Sequence, residues 1–268
     1  MIPVSSIFVM CLDLIMAIAI PVALCLVLKK KMGFRMKPVL LGAATFAVMA
    51  LVLETIAHKI ILTGTGDFGT SIMSSVIKYA LYGGIMAGLF EETGRYFTMK
   101  WLLKKEPTNS GTDIAYGIGH GGMEMMVLLA SAMATNIVFS IMLNHGDAQT
   151  IIASAPEAAQ AKYQAVFAQL LTTSTSTLFI PLWERISAII LQISLSVIMW
   201  VAVRNGGKGL LLFLLAFVLH ASVDAIAVIV NSKYGVINTE IVISIIALSI
   251  AVISITIKHN SKLEGEVD

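Results

Sequence analysis

Charge is what this sequence has least of. Asp, Glu, Lys and Arg make up 13% of its 268 residues, against about a quarter in soluble domains. Hydrophobic residues make up 57%, and the mean hydropathy is +0.89. A chain so poor in charge cannot cover a water-soluble globule, so the composition is that of an integral membrane protein and no nucleic-acid partner is expected. Cysteine is nearly absent. Cys11 and Cys25 share the first apolar segment, and their spacing is roughly 21 Å along a helix, which excludes a bridge between them. Nothing in the sequence supports a cysteine metal site either. The sequence also lacks an internal repeat, a low-complexity tract and a second domain, so residues 1–268 are read as one integral membrane domain. The first segment, Ser5–Leu28, has no basic flank before it. It reads as a first span and not as a removed signal peptide.

What is present is apolar sequence in span-length pieces. A crossing helix needs about 20 apolar residues. Seven segments qualify: Ser5–Leu28, Pro38–Leu62, Ser71–Leu103, Thr112–Leu143, Thr175–Val203, Gly209–Val230 and Glu240–Ile257. The fold class expected is an all-α polytopic bundle of about seven transmembrane helices. Basic residues alternate by connector. Lys29, Lys30, Lys31, Arg35, Lys37, Lys100, Lys104, Lys105, Arg204, Lys208, Lys258 and Lys262 fall on one face, and Lys59, Lys162 and Lys233 on the other. The excess of Lys and Arg on cytoplasmic loops then predicts an N-out, C-in topology. In the longest loop, Pro156–Leu171 suits an external helix, with Pro156 opening it and Glu157 at the positive end of its dipole. The acidic tail Leu263–Asp268 reads as a frayed end.

Against this background one stretch stands out: Phe90-Glu91-Glu92-Thr93-Gly94-Arg95-Tyr96 follows the apolar run Leu81–Phe90. A charge at bilayer depth costs roughly 2.5–3.5 kcal/mol on insertion scales, so an acidic pair there needs partners. Counting 1.5 Å per residue places Glu91 and Glu92 roughly 12–14 Å from the basic face. His120 and Glu124 on the fourth span lie roughly 12–18 Å in, and His220 and Asp224 on the sixth roughly 16–22 Å in. Each of these two pairs is spaced i, i+4 and shares one helix face. Arg95 points between Glu91 and Glu92 and could hold either carboxylate. Gly117 and Gly121 on the His120 face, and Gly84 and Gly88 on the Glu92 face, invite close approach by a neighbouring helix or a substrate. A register-fixing salt bridge would need fewer groups than four acids, two histidines and an arginine. The surplus favours chemistry or ion binding. A second set, Glu54, His58, Lys78, Asn136, Glu184 and Arg185, lies toward the opposite side and reads as interhelical ion pairing.

Taken together, Glu91-Glu92-x-Gly94-Arg95, His120-Gly121-Gly122-x-Glu124 and His220-x-x-x-Asp224 resemble the YhfC family of glutamic-type intramembrane proteases. That family is similar in turn to the group of type II CAAX prenyl endopeptidases, CPBP proteins and PrsW. The resemblance covers almost the whole chain and implies a bacterial cell-membrane location and a membrane-embedded or membrane-associated peptide substrate. In the wider group the glutamates and the second-motif histidine activate water, and the third motif stabilises the oxyanion. Two positions depart from that pattern. Arg95 stands three and not four residues after the second glutamate. Glu124 stands where the prenyl endopeptidases have histidine, as in PrsW.

The catalytic set expected is therefore Glu91, Glu92, Arg95, His120, Glu124, His220 and Asp224, with no cofactor. One of Glu91 and Glu92 would take the water proton while the other is tied to Arg95. His120 and Glu124 would complete the water site, and His220, oriented by Asp224, would donate to the oxyanion. A zinc-dependent version would use His120, Glu124, His220 and Asp224 as ligands, although no HExxH motif is present. A proton- or ion-coupled small-solute transporter is the reading from another class, since intramembrane acids also make proton relays. The missing repeat and the concentration of polar groups in one layer speak against it. A scaffold binding a partner helix through the glycine faces is a third.

Overall fold

The structure is a computed structural model describing residues 1–107, 111–204 and 209–265. Lys208 and the last three residues of the acidic tail lie outside these. The described residues are helical, with no strand among them. In chain order the helices are α1 (Val4–Met32), α2 (Met36–Thr63), α3 (Asp67–Met73), α4 (Val76–Leu102) and α5 (Thr112–His145). They continue with α6 (Ala148–Ser154), α7 (Glu157–Thr172), α8 (Thr177–Arg204), α9 (Gly209–Tyr234) and α10 (Val236–Gly265). Helices are what a bilayer requires, because every backbone group is satisfied within the segment. Pro156 precedes α7 and Glu157 stands in its first turn, as the composition of that loop predicts.

Six of these helices are long and apolar enough to cross a membrane: α1, α2, α5, α8, α9 and the Val236–Ser261 part of α10. The number rises to seven if α3 and α4 are counted as one broken span. The sequence reads Ser71–Leu103 as one continuous span, and the structure corrects it. Helices α3 and α4 meet at 104°, with the break at Ser74–Ser75. The Ser75 hydroxyl accepts from the Lys78 backbone N–H at 3.5 Å and so starts the new helix. Helix α4 carries Lys78, Glu91, Glu92, Arg95 and Lys100, so it passes as apolar only together with α3.

By packing, the chain forms two compact units. One comprises residues 1–20 and 125–185. In it Asn144 brackets Ile2, accepting from its N–H at 2.6 Å and donating to its carbonyl at 2.9 Å. Phe139 meets Tyr163 and Phe167 of α7 edge-on, at 5.7 and 5.1 Å.

The other unit comprises residues 21–124 and 186–268 and holds every residue of the three motifs. Its core is built on α8, where Leu191, Leu195, Ile198, Met199 and Trp200 are buried with Tyr116, Met99 and Leu103. Buried residues make up 72% of the apolar stretch of α8, against 17–28% for the other spans, so α8 is the central helix. Arg204 ends it over the Trp200 ring and donates to the carbonyls of Leu103 and Glu106. Lys258 of α10 pairs with buried Asp113 at the start of α5. Helices α4 and α9 are in extensive contact. That contact needs glycine. A Cβ at Gly84 would overlap the Ala221 carbonyl of α9, and one at Gly121 would stand 3.0 Å from the Gln192 Cβ of α8. The approach that these glycines allow is thus by neighbouring helices.

Candidate active site

The acidic pair sits in the middle of α4 because the residues before it, Leu81–Phe90, are apolar and the helix runs unbroken through them. Successive residues on a helix diverge by about 100°, so Glu91 and Glu92 face different neighbours. Glu92 and Arg95, i and i+3, are both fully buried, with the Arg95 Nε 3.2 Å from the Glu92 Oε2. The arginine therefore holds the second glutamate. On its other carboxylate oxygen, Glu92 accepts from the His220 Nδ1–H at 2.8 Å.

Glu91, 6% exposed, has a different set of partners. Its Oε2 accepts from the His120 Nε2–H at 2.8 Å and from the Gln192 side-chain amide at 3.0 Å. The His220 Nε2 stands 3.9 Å from the same oxygen. Asp224, one turn along α9, has its Oδ2 3.7 Å from that Nε2. The nitrogen of His220 that is anchored is Nδ1, and Glu92 anchors it. Asp224 stands on the side of the other nitrogen, Nε2.

His120 is buried between aromatic rings, edge-on to Phe46 at 5.3 Å and stacked on Tyr116 at 6.1 Å. Its Nδ1 is buried and finds no hydrogen-bond partner among the described residues. A buried ring nitrogen without a protein partner calls for a water or a ligand atom beside it.

A site residue that the sequence does not announce is Gln192 of α8. Its side-chain NH₂ donates to both Glu91 and Glu124, each at 3.0 Å. Its side-chain oxygen accepts from an Arg95 NH₂ group, and its backbone carbonyl accepts from the other at 2.8 Å. The amide can be oriented only this way, because a guanidinium has no acceptor and an ionised carboxylate no donor. Ser196, one turn on, accepts from Arg95 at 2.5 Å and donates to the Gln192 carbonyl at 2.7 Å. The only hint in the sequence is a glutamine in the stretch Ile186–Val203, where the other polar residues are Ser187, Ser194 and Ser196.

Of the seven predicted site residues, Glu91, Glu92, Arg95, His120 and His220 meet directly, Glu124 joins through Gln192, and Asp224 borders the His220 ring. The second polar set is not all interhelical ion pairing. Lys78 donates to Ser71 at 2.8 Å, and Arg185 pairs with its own neighbour Glu184. Glu54 accepts from His58 at 3.1 Å within α2, and His58 reaches Tyr82 of α4 at 2.9 Å. Nor does the set lie apart. His58, Tyr82 and Asp224 line one cavity of about 370 Å³.

The donor chemistry of the cluster is that of a zinc-type cation: imidazole nitrogens and carboxylate oxygens, with Glu92 behind His220 as a carboxylate stands behind a metal-bound histidine. Among the described residues no three His, Cys, Asp or Glu side chains are grouped as ligands of one ion. His120 and Glu91 are hydrogen-bonded to each other instead.

The chain is similar to a known family over most of its length. Residues 16–247 match the model of the YhfC intramembrane metalloprotease family. The chain is 32% identical over 239 residues to the uncharacterized membrane protein YhfC of Bacillus subtilis (strain 168), a match that covers 89% of this chain and 90% of that protein. No solved structure matches. An integral membrane chain matched over nearly its whole length, with its motif residues gathered at one buried cluster, belongs to the YhfC intramembrane metalloprotease family.

Proposed function

We propose that the protein is an intramembrane endopeptidase and that Glu91 carries the proton transfer of water attack. The observation that supports this is the division between the two glutamates. Glu92 is committed to Arg95 and His220, whereas Glu91 faces two histidine Nε2 atoms and the Gln192 amide. Peptide hydrolysis needs a base for the water, a donor for the oxyanion and a proton for the leaving amine. Glu91 takes the first role and, once protonated, the third. His220, held at Nδ1 by Glu92, presents Nε2 to the reacting carbonyl. As imidazolium it donates to the oxyanion, in the manner of a histidine steered by a carboxylate. Gln192 and Arg95 hold the carboxylates apart and fixed.

The family description favours a second reading in which a zinc-type cation takes part. Glu91, His120 and His220 would have to regroup to hold it, giving up the His120–Glu91 hydrogen bond, with Glu92 orienting His220. Such an ion lowers the pKa of a bound water and polarises the scissile carbonyl. The partnerless Nδ1 of His120 and the Glu92–His220 bond fit both readings.

The substrate class is a membrane-embedded or membrane-associated peptide, cleaved in the cytoplasmic half of the bilayer of an N-out, C-in protein. The test is cleavage of defined membrane peptides by protein reconstituted in bilayers, with metal content measured on the same sample. Cleavage abolished by Glu91→Gln, with Glu91→Gln still folded, supports the proposal. Undiminished cleavage by that variant would sink it. Loss of activity with a chelator and recovery with zinc assigns the metal version.

A further inference from the structure

The catalytic cluster leaves one built feature unused. A cavity of about 370 Å³ opens beside it, lined by His58 of α2, Tyr79, Tyr82 and Gly83 of α4, and Asp224 of α9. Asp224 belongs to both, so the cavity and the cluster share a wall. Glu54 lies behind His58 and within electrostatic reach of Glu91, His220 and Asp224. No lysine or arginine is among the lining residues.

Leu62 and Val228 supply apolar wall, and the polar groups point one way. With the His58 Nε2–H donated to Glu54, the Nδ1 of the neutral ring accepts the Tyr82 hydroxyl proton. The Tyr82 oxygen then offers only lone pairs to the cavity. Asp224, 39% exposed at its side chain, offers a carboxylate. Tyr79, also exposed, and Tyr82 offer ring faces, which attract cations. Acceptors, aromatic faces and a carboxylate that His220 borders on one side, with no lysine or arginine in the lining, make a pocket for a positive charge. The space at Gly83 is open, since a Cβ there would meet nothing within 4 Å.

We infer that this cavity is a substrate subsite for a cationic side chain, a lysine or arginine of the peptide that is cleaved. The inference rests on the peptidase reading and supplies its specificity. Tyr82 precedes Glu91 by nine residues, roughly 13–14 Å along α4. An extended peptide covers that distance in about four residues, so the basic residue stands about four positions from the scissile bond. His58 and Tyr79 lie within two turns of the helix ends at Thr63 and Val76, where a long basic side chain can keep its charge near the membrane surface.

The test is binding, measured by fluorescence anisotropy on the full-length protein in lipid nanodiscs, both wild type and Glu91→Gln. The probes are labelled apolar peptides of about 20 residues that carry Lys, Gln, Leu or Glu at one position. The Lys peptide should bind about tenfold more tightly than its Gln analogue. Gly83→Leu, which fills the cavity from open space, and Tyr79→Leu should each erase that difference and leave the Leu peptide unchanged. Equal binding of all four peptides overturns the subsite, as does a Lys preference that survives Gly83→Leu. Lys-selective binding without any cleavage supports the subsite and counts against the peptidase reading alone.

Discussion

The Arg95 Nε lies 3.2 Å from the Glu92 Oε2, with both side chains completely buried, while Glu91 one residue earlier turns to His120. Two adjacent carboxylates are thereby given different partners by helix geometry alone. Replacing each should therefore fail in a different way. Glu91→Gln keeps the hydrogen-bonding shape and removes the proposed base, so cleavage should fall by about 10²–10⁴ with little change in thermal stability. Glu92→Gln leaves a buried guanidinium without its counter-charge, which costs about 3–5 kcal/mol. That variant should melt well below wild type in detergent. Equal melting temperatures for the two would contradict the division.

Gln192 is the strap of the cluster, joining Arg95 to Glu91 and Glu124 through one amide. Gln192→Leu removes three hydrogen bonds to charged groups, each worth about 1.5–3 kcal/mol, and should lower both stability and turnover. Gln192→Glu is the sharper test. It keeps the bond to Arg95 but turns a carboxylate toward two others. Folding should then be partly restored relative to Gln192→Leu while turnover is not, measured as melting temperature against kcat at saturating substrate.

Much of this site is legible in the sequence, because charge in an apolar helix is conspicuous. Glu91, Glu92, Arg95, His120 and His220 announce themselves that way, and the rise of 1.5 Å per residue is enough to bring them to one layer. Gln192 does not, since an uncharged amide barely disturbs an apolar stretch and its value lies in who its neighbours are. The central place of α8 is equally hidden. A lipid-facing helix and a core helix are both apolar all round, so periodicity cannot separate them. The break at Ser74–Ser75 escapes a hydropathy reading because apolar sequence continues across it, although the chain turns by 104°. Depth counting also sets Glu54 and His58 apart from the site. It measures position along the bilayer normal and is blind to a cavity that runs between layers.

The orientation proposed from the basic connectors can be tested with single cysteines in a background with Cys11 and Cys25 replaced by Ser. Gly64→Cys, in the turn between α2 and α3, should react in intact cells with a membrane-impermeant thiol reagent. Lys104→Cys, after α4, should react only once the membrane is opened. The reverse pattern would invert the topology and place the site in the outer half of the bilayer.

Gly84 and Gly83 are neighbours with opposite tolerances. A Cβ at Gly84 would overlap the Ala221 carbonyl of α9, and the carbonyl carbon would stand only 3.1 Å away. Because the obstacle is backbone, it cannot rotate aside, and α4 and α9 would have to separate. That displacement would carry His220 away from Glu92, whose bond is 2.8 Å. Gly84→Val should accordingly lose about 1–3 kcal/mol or more from overpacking and abolish activity even where folded protein is recovered. Gly83→Val meets open space and should gain stability, since valine loses less backbone entropy than glycine in a helix. Melting curves of the two purified variants decide the matter: if Gly84→Val is as stable as Gly83→Val, the close α4–α9 approach does not hold the catalytic cluster together.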